Sequence, residues 1–159
     1  MEKAEETKVA SSGGILSRFD IRTVSLLLVA VGLFVSAYLS YAHLANTSLI
    51  CVGGEEFDCG LVQNSIYSKL FGIPIAYLGL LTYLVLGGIL LFENRIAVLQ
   101  DYSPVLVFGI TLFAFLFSVW LVYVQAALLQ AFCSWCLTHE VTMTLLFILS
   151  GLRLKRALS

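Results

Sequence analysis

The sequence predicts an all-α fold: an integral membrane four-helix bundle with both termini cytoplasmic. Three observations carry that expectation. Hydrophobic residues make up 60% of the 159 positions and charged residues 12%, with mean hydropathy +0.97, whereas soluble domains are roughly half apolar and about a quarter charged. The apolar residues are gathered into four long blocks instead of being scattered at core-facing positions, and the basic residues fall almost wholly on one set of connections. A soluble domain is excluded. The net charge of −1 offers no basic stripe, which excludes nucleic acid as a partner.

A hydrocarbon core of ~30 Å takes roughly 20 apolar residues as helix, because only a helix or a closed barrel satisfies every backbone group without water. Residues 1–21 precede the first block and read as a flexible tail, with Ser11-Ser12-Gly13-Gly14 and mixed charges. The first crossing runs from about Val24 to His43, too long for a cleaved signal core of about 7 to 15 residues. A loop over residues 44–71 follows, with 65–71 expected as a short helical lead-in. The second crossing, Gly72 to Phe92, is punctuated by Pro74 and closed by the water-seeking Glu93-Asn94-Arg95. Pro104 is expected at the start of the third, Val105 to Leu129, where its missing N–H costs nothing. The fourth runs from Cys133 to Leu152, completing a catalytic unit over 22–152 before a basic tail at 153–159.

Orientation follows the basic flanks. Lys3, Lys8, Arg18, Arg22, Arg95, Arg153, Lys155 and Arg156 share one side, and the other carries only Lys69 with Glu55, Glu56 and Asp58. The first side is expected to be cytoplasmic, in a plasma (inner) membrane, with the loop 44–71 and the turn Gln130 to Phe132 outside.

All four cysteines fall on the outer side, where an even number favours disulfides over free thiols. Cys133 and Cys136 stand at i and i+3 at a helix start, on one face and within disulfide reach. So short a ring is a poor staple and a good redox switch. Unpaired N–H groups at a helix start also favour the thiolate of whichever sulfur they face. Cys51 and Cys59 enclose Val-Gly-Gly-Glu-Glu-Phe-Asp, a wet and mobile stretch suited to thiol–disulfide exchange. Three plainer readings compete: a structural clip at Cys51 and Cys59, a zinc site from all four thiols, and two small buried hydrophobes at Cys133 and Cys136.

Four membrane helices, two cysteines after the first and Cys-x-x-Cys opening the fourth resemble the vitamin K epoxide reductase family, particularly its prokaryotic members, over residues 20–152. Cys59-Gly-Leu-Val-Gln-Asn-Ser65-Ile-Tyr67 followed by Phe71-Gly72-Ile73-Pro74 is the most specific stretch. The resemblance implies a bundle around a quinone, menaquinone, ubiquinone or similar, and no metal. Electrons would pass from a thioredoxin-like protein to Cys51, from Cys59 to Cys133, and from Cys136 to the quinone, supporting disulfide formation in the partner. Ser65 would support the site near Cys136 or the quinone, or else cap a helix. Many members carry a fused thioredoxin-like domain; this chain ends soon after the fourth helix, so the partner is expected to be a separate extracytoplasmic protein.

Glu140 stands where vertebrate members have a tyrosine that contacts the quinone. One turn below Cys136, it lies where charge is costly, and is read as a neutral acid donating a hydrogen bond or proton to a quinone oxygen. His139 is the competing donor. Trp135, inside the redox motif, would touch the quinone or shield the disulfide, with interface anchoring an equal reading. Two other functions remain open: reduction of a quinone epoxide at the same site, and a non-enzymatic scaffold or transporter subunit with structural disulfides. A quinone-linked oxidase of the bacterial type that carries Cys-x-x-Cys in its first loop fits less well, because here that motif opens helix four.

Overall fold

A computed structural model gives the structure of residues 21–55 and 57–159; the expected tail over 1–21 lies, apart from Ile21, outside the described residues, as does Glu56. Among the described residues the chain forms four long helices, with a short helix, a 3₁₀ turn and a hairpin of two-residue strands between the first two spans. Helix α1 (Glu2–Ala45) crosses over Ile21–Ala45, α3 spans Ile75–Phe92, α4 (Ala97–Tyr123) continues as a π-helical turn Val124–Leu129, and α5 spans Ser134–Leu158. Each is long and apolar enough to cross a membrane. Their outward faces are apolar, with Phe34 66% and Phe113 75% exposed, as expected where the solvent is lipid.

Helix α1 packs on α3 and α5, and α4 packs on α5, while α3 and α4 meet less closely. The core joins Val29, Tyr83, Leu86, Leu90, Val107, Met143 and Leu146. Gly32 is what lets α1 approach α3, since a Cβ there would lie 2.2 Å from the Tyr83 ring. Buried hydroxyls also pair between helices, with Thr111 Oγ1 2.7 Å from Ser150 Oγ.

Two expectations are corrected at the end away from the cysteines. Helix α4 begins at Ala97, so Pro104 lies inside it. Residues 97–103 extend the helix because Ser103 is fully buried and gives its hydroxyl to Glu93 Oε2 at 2.6 Å. Glu93 does not seek water either. It is buried, with Oε1 3.2 Å from Arg22 Nε and Oε2 held by Arg153 Nη2. Arg22 also donates to the Leu90 carbonyl. One carboxylate thus ties α1, α4 and α5 to the end of α3.

The lead-in to α3 differs in detail from a single helical turn. Asp58 caps α2 (Cys59–Asn64) by accepting from Leu61 N at 2.9 Å. A 3₁₀ turn, Ile66–Ser68, follows, and then strands β1 (Lys69–Leu70) and β2 (Ile73–Pro74) pair antiparallel around Phe71 and Gly72, both at positive φ. Gly72 suits that turn because it lacks a Cβ.

Candidate active site

All four cysteines converge at one end of the bundle. Cys59 opens α2 and Cys133 is the N-cap of α5. Both are buried in one cluster with Val62 and Ala131, and Cys51, Trp135 and Cys136 pack against it. Cys51 and Cys59 are joined as a disulfide, whereas Cys133 and Cys136 are thiols. The expectation of disulfides therefore holds for the loop pair, and the helix pair is in its reduced form.

The turn before α5 holds Cys133 in place. The π-helical turn ends at Gln130, in the left-handed region at φ 50°, and Ala131 N bonds the Gln125 carbonyl at 3.2 Å. The Gln125 side chain is buried, and its Oε1 accepts from Cys133 N at 3.0 Å. Cys133 Sγ in turn accepts from Cys136 N at 3.4 Å. Hydrogen bonding from the Cys136 thiol lowers the Cys133 thiol to about 7; burial opposes this, and the N–H groups of Cys136 and Trp135 and the Gln63 amide assist it. The backbone N–H groups at the helix start contribute to this lowering, but the Cys136 thiol is its main cause.

The loop is docked on α5 by several contacts. Asp58 N donates to the Phe132 carbonyl at 2.9 Å, and the rings of Phe57 and Phe132 meet at 6.1 Å. Trp135 Nε1 donates to the Ile50 carbonyl at 2.7 Å, and its ring lies 4.6 Å from that of Tyr38. Trp135 is a strut for the segment leading into Cys51 and lies apart from the residues that line the cavity described next. Ser134, between the two helix cysteines, places its Oγ 3.6 Å from Cys51 Sγ and 3.8 Å from Cys59 Sγ.

Below Cys136 a cavity of about 70 Å³ is lined by Gln63, Ser65, Cys136, His139 and Glu140 among others. Gln63 Nε2 donates to Cys136 Sγ at 3.2 Å. Ser65 lines the cavity, and its hydroxyl donates to the Val62 carbonyl at 2.8 Å at the end of α2. Glu140 is buried, with Oε1 3.9 Å from His139 Nδ1 and Oε2 without a hydrogen-bond partner. The Tyr83 ring stands edge-on to His139 at 5.3 Å. Through His139, Gly79, Ile75 and Leu121 this cavity adjoins a larger apolar one of about 530 Å³ between α3 and α4.

Gln63, Gln125 and Ser134 were not among the sequence candidates. A glutamine within an apolar span was the available signal for Gln125, and one helical turn after Cys59 was the signal for Gln63. Ser134 carried none beyond its place inside the motif. Among the described residues no group of three or more His, Cys, Asp or Glu is placed to hold a metal ion.

Four membrane spans that bring a disulfide against a dithiol define a membrane redox protein. Residues 23–151 match the vitamin K epoxide reductase family, and the chain belongs to that family. Its members are oxidoreductases, in general linked to quinone and working with a thioredoxin-like partner.

Proposed function

We propose that this protein oxidises a separate thioredoxin-like protein outside the cytoplasm and delivers the electrons to a membrane quinone, so supporting disulfide bond formation. The observation that carries this reading is the contact between a closed loop disulfide and an open helix dithiol above a cavity lined with polar groups. The cysteine end is assigned to the extracytoplasmic side by the basic residues at the opposite end. On this reading residues 22–152 form the catalytic domain.

The relay balances without any further reagent. A partner thiolate attacks Cys51, and Cys59 leaves as thiolate; the partner's second thiol then closes its own disulfide and frees Cys51. The Cys59 thiolate attacks Cys133 of an oxidised helix pair, forming the Cys59–Cys133 bond and releasing Cys136. Cys51 then attacks Cys59, restores the loop disulfide and releases Cys133. A low thiol pKa makes Cys133 a good leaving group in that last step. The two electrons then stand beside the cavity as the Cys133–Cys136 dithiol.

The cavity fits a quinone oxygen on a specific ground: Glu140 Oε2 is buried and lacks a partner, and such an orphan is costly unless a ligand or water meets it. Cys136, Ser65, Glu140 and His139 would hold the ring, and the apolar space between α3 and α4 suits a hydrocarbon tail. A quinone bound there supplies the acceptor for two electrons and two protons. Glu140 and His139 are the proton-bearing groups on its side of Cys136.

The test is anaerobic mixing of the purified protein with a reduced thioredoxin-like protein and a quinone, following thiol loss and quinone absorbance together. Two thiols should be lost for each quinone reduced. If neither changes, the enzyme reading fails; if, in a parallel mixture, a quinone epoxide oxidises the thiols and gives quinone while quinone itself does not react, the acceptor is the epoxide.

A further inference from the structure

The hydrogen-bond donors around the two cysteine pairs are crossed. Ser134 lies on α5, between Cys133 and Cys136, yet its hydroxyl reaches the sulfurs of the loop pair, 3.6 Å to Cys51 and 3.8 Å to Cys59. Those sulfurs are in a disulfide and have no hydrogen, so the serine is the donor. Its oxygen meanwhile accepts from Val52 N at 3.2 Å, which leaves the hydroxyl hydrogen for sulfur. Gln63 lies on α2, one turn after Cys59, yet its amide N–H reaches a sulfur of the helix pair, Cys136, at 3.2 Å. Each element therefore carries a donor for the other element's sulfur.

We infer that Ser134 and Gln63 are positioning donors that set, with opposite sign, how two electrons divide between the loop pair and the helix pair. This rests on the relay proposed above. A disulfide sulfur is a weak acceptor and a thiolate a strong one, so each donor stabilises the reduced form of the pair it faces. Ser134 favours electrons on Cys51 and Cys59, and Gln63 favours them on Cys133 and Cys136. In the exchange step the bond broken is Cys133–Cys136 and the bond finally formed is Cys51–Cys59; Gln63 meets the sulfur that leaves first, Cys136. Because both donors reach across the interface, the balance exists only while α2 is docked on α5. Transfer between the pairs is thereby tied to the docked loop, and an undocked loop disulfide is a poorer electron acceptor.

The experiment needs neither quinone nor partner. The whole chain, fully oxidised in detergent, receives one equivalent of dithiothreitol under anaerobic, mildly alkaline conditions, and differential alkylation with peptide mapping reads the fraction of each cysteine that is reduced. Ser134→Ala should shift the equilibrium toward a reduced helix pair by about tenfold, the scale of one hydrogen bond to a charged group. Gln63→Leu should shift it about tenfold the other way. The double variant should return close to the wild type, and Ser134→Thr, which keeps the hydroxyl, should stay there. Gln63→Glu loses the donor and sets a carboxylate beside the sulfur, so it should shift in the same direction as Gln63→Leu and further, which preserves the test if the leucine variant does not fold. Shifts of both single variants in one direction, or none at all, would overturn the inference, since a merely structural loosening of the loop has no reason to split by sign. If in the wild type electrons never pass between the pairs, the relay itself fails, a result distinct from equal partition in all variants.

Discussion

At the residue scale the proposed relay turns on Cys133. Its sulfur is the N-cap of α5 and receives the N–H of Cys136, and its thiol is lowered to about 7 chiefly through the Cys136 thiol. Replacing Cys136 with Ala removes that first cause, so the Cys133 titration, followed by thiolate absorbance with the loop pair replaced by serine, should move up toward the ordinary thiol range. An unmoved titration would assign the lowering to the backbone N–H groups instead. With the loop pair intact, the same Cys136→Ala variant leaves Cys133 without its resolving thiol. In mildly alkaline solution Cys133 should attack Cys59, and a peptide joining residues 59 and 133 should accumulate on mapping. Absence of that peptide would sink the relay order. The four cysteines, Ser65, His139 and Glu140 were readable in the sequence because each is a chemically distinctive residue at a motif position. Ser134 was not, and Gln63 only faintly through its place one turn after Cys59, because which sulfur each faces is decided by what the docked loop brings within 4 Å.

At the element scale the four crossings were readable because the bilayer demands a length and an apolar content that few other segments meet. Their ends were less so. Pro104 suggested a helix start, yet α4 begins at Ala97; one lost backbone bond inside a helix is tolerated when neighbouring turns are packed and Ser103 is anchored to Glu93. The hairpin Lys69–Pro74 is too short to leave a period in the sequence. The π-helical turn Val124–Leu129 looked like ordinary helix, but its wider ring turns the buried Gln125 side chain toward α5, where its carbonyl takes the Cys133 N–H. Such single turns are common where function needs a side chain re-aimed. Gln125→Leu keeps the volume and leaves that buried N–H without a partner, which costs about 1 to 3 kcal/mol. The expected result is a lower unfolding midpoint together with faster alkylation of Cys133 in the reduced protein, since the turn no longer holds it. A variant as stable as the wild type, with Cys133 equally protected, would show that the turn is held by Ala131 and the packing of Phe132 alone.

At the scale of the whole molecule the two ends of the bundle have separate tasks. One holds the cysteines and the cavity, and the other is closed by Glu93, which meets Arg22 of α1, Ser103 of α4 and Arg153 of α5. With an exposure of 5% the Glu93 carboxylate is desolvated, while the two guanidiniums, at 24% and 23%, keep part of their hydration. Removing the carboxylate leaves two like charges facing each other and a buried hydroxyl unpaired. Breaking a buried pair costs about 3 to 5 kcal/mol, and the partly solvated arginines place this one near the low end. Glu93→Ala should therefore lower the unfolding midpoint strongly and Glu93→Gln, which keeps one acceptor, by less. Neither should change how two electrons divide between the loop and helix pairs, because every group that touches those sulfurs lies at the other end. Thermal unfolding and differential alkylation on the same preparations decide the matter. A Glu93→Ala protein that is no less stable than Ser103→Ala would deny the carboxylate its place as the tie among four helices, and a changed electron partition would mean that the two ends are coupled through α5.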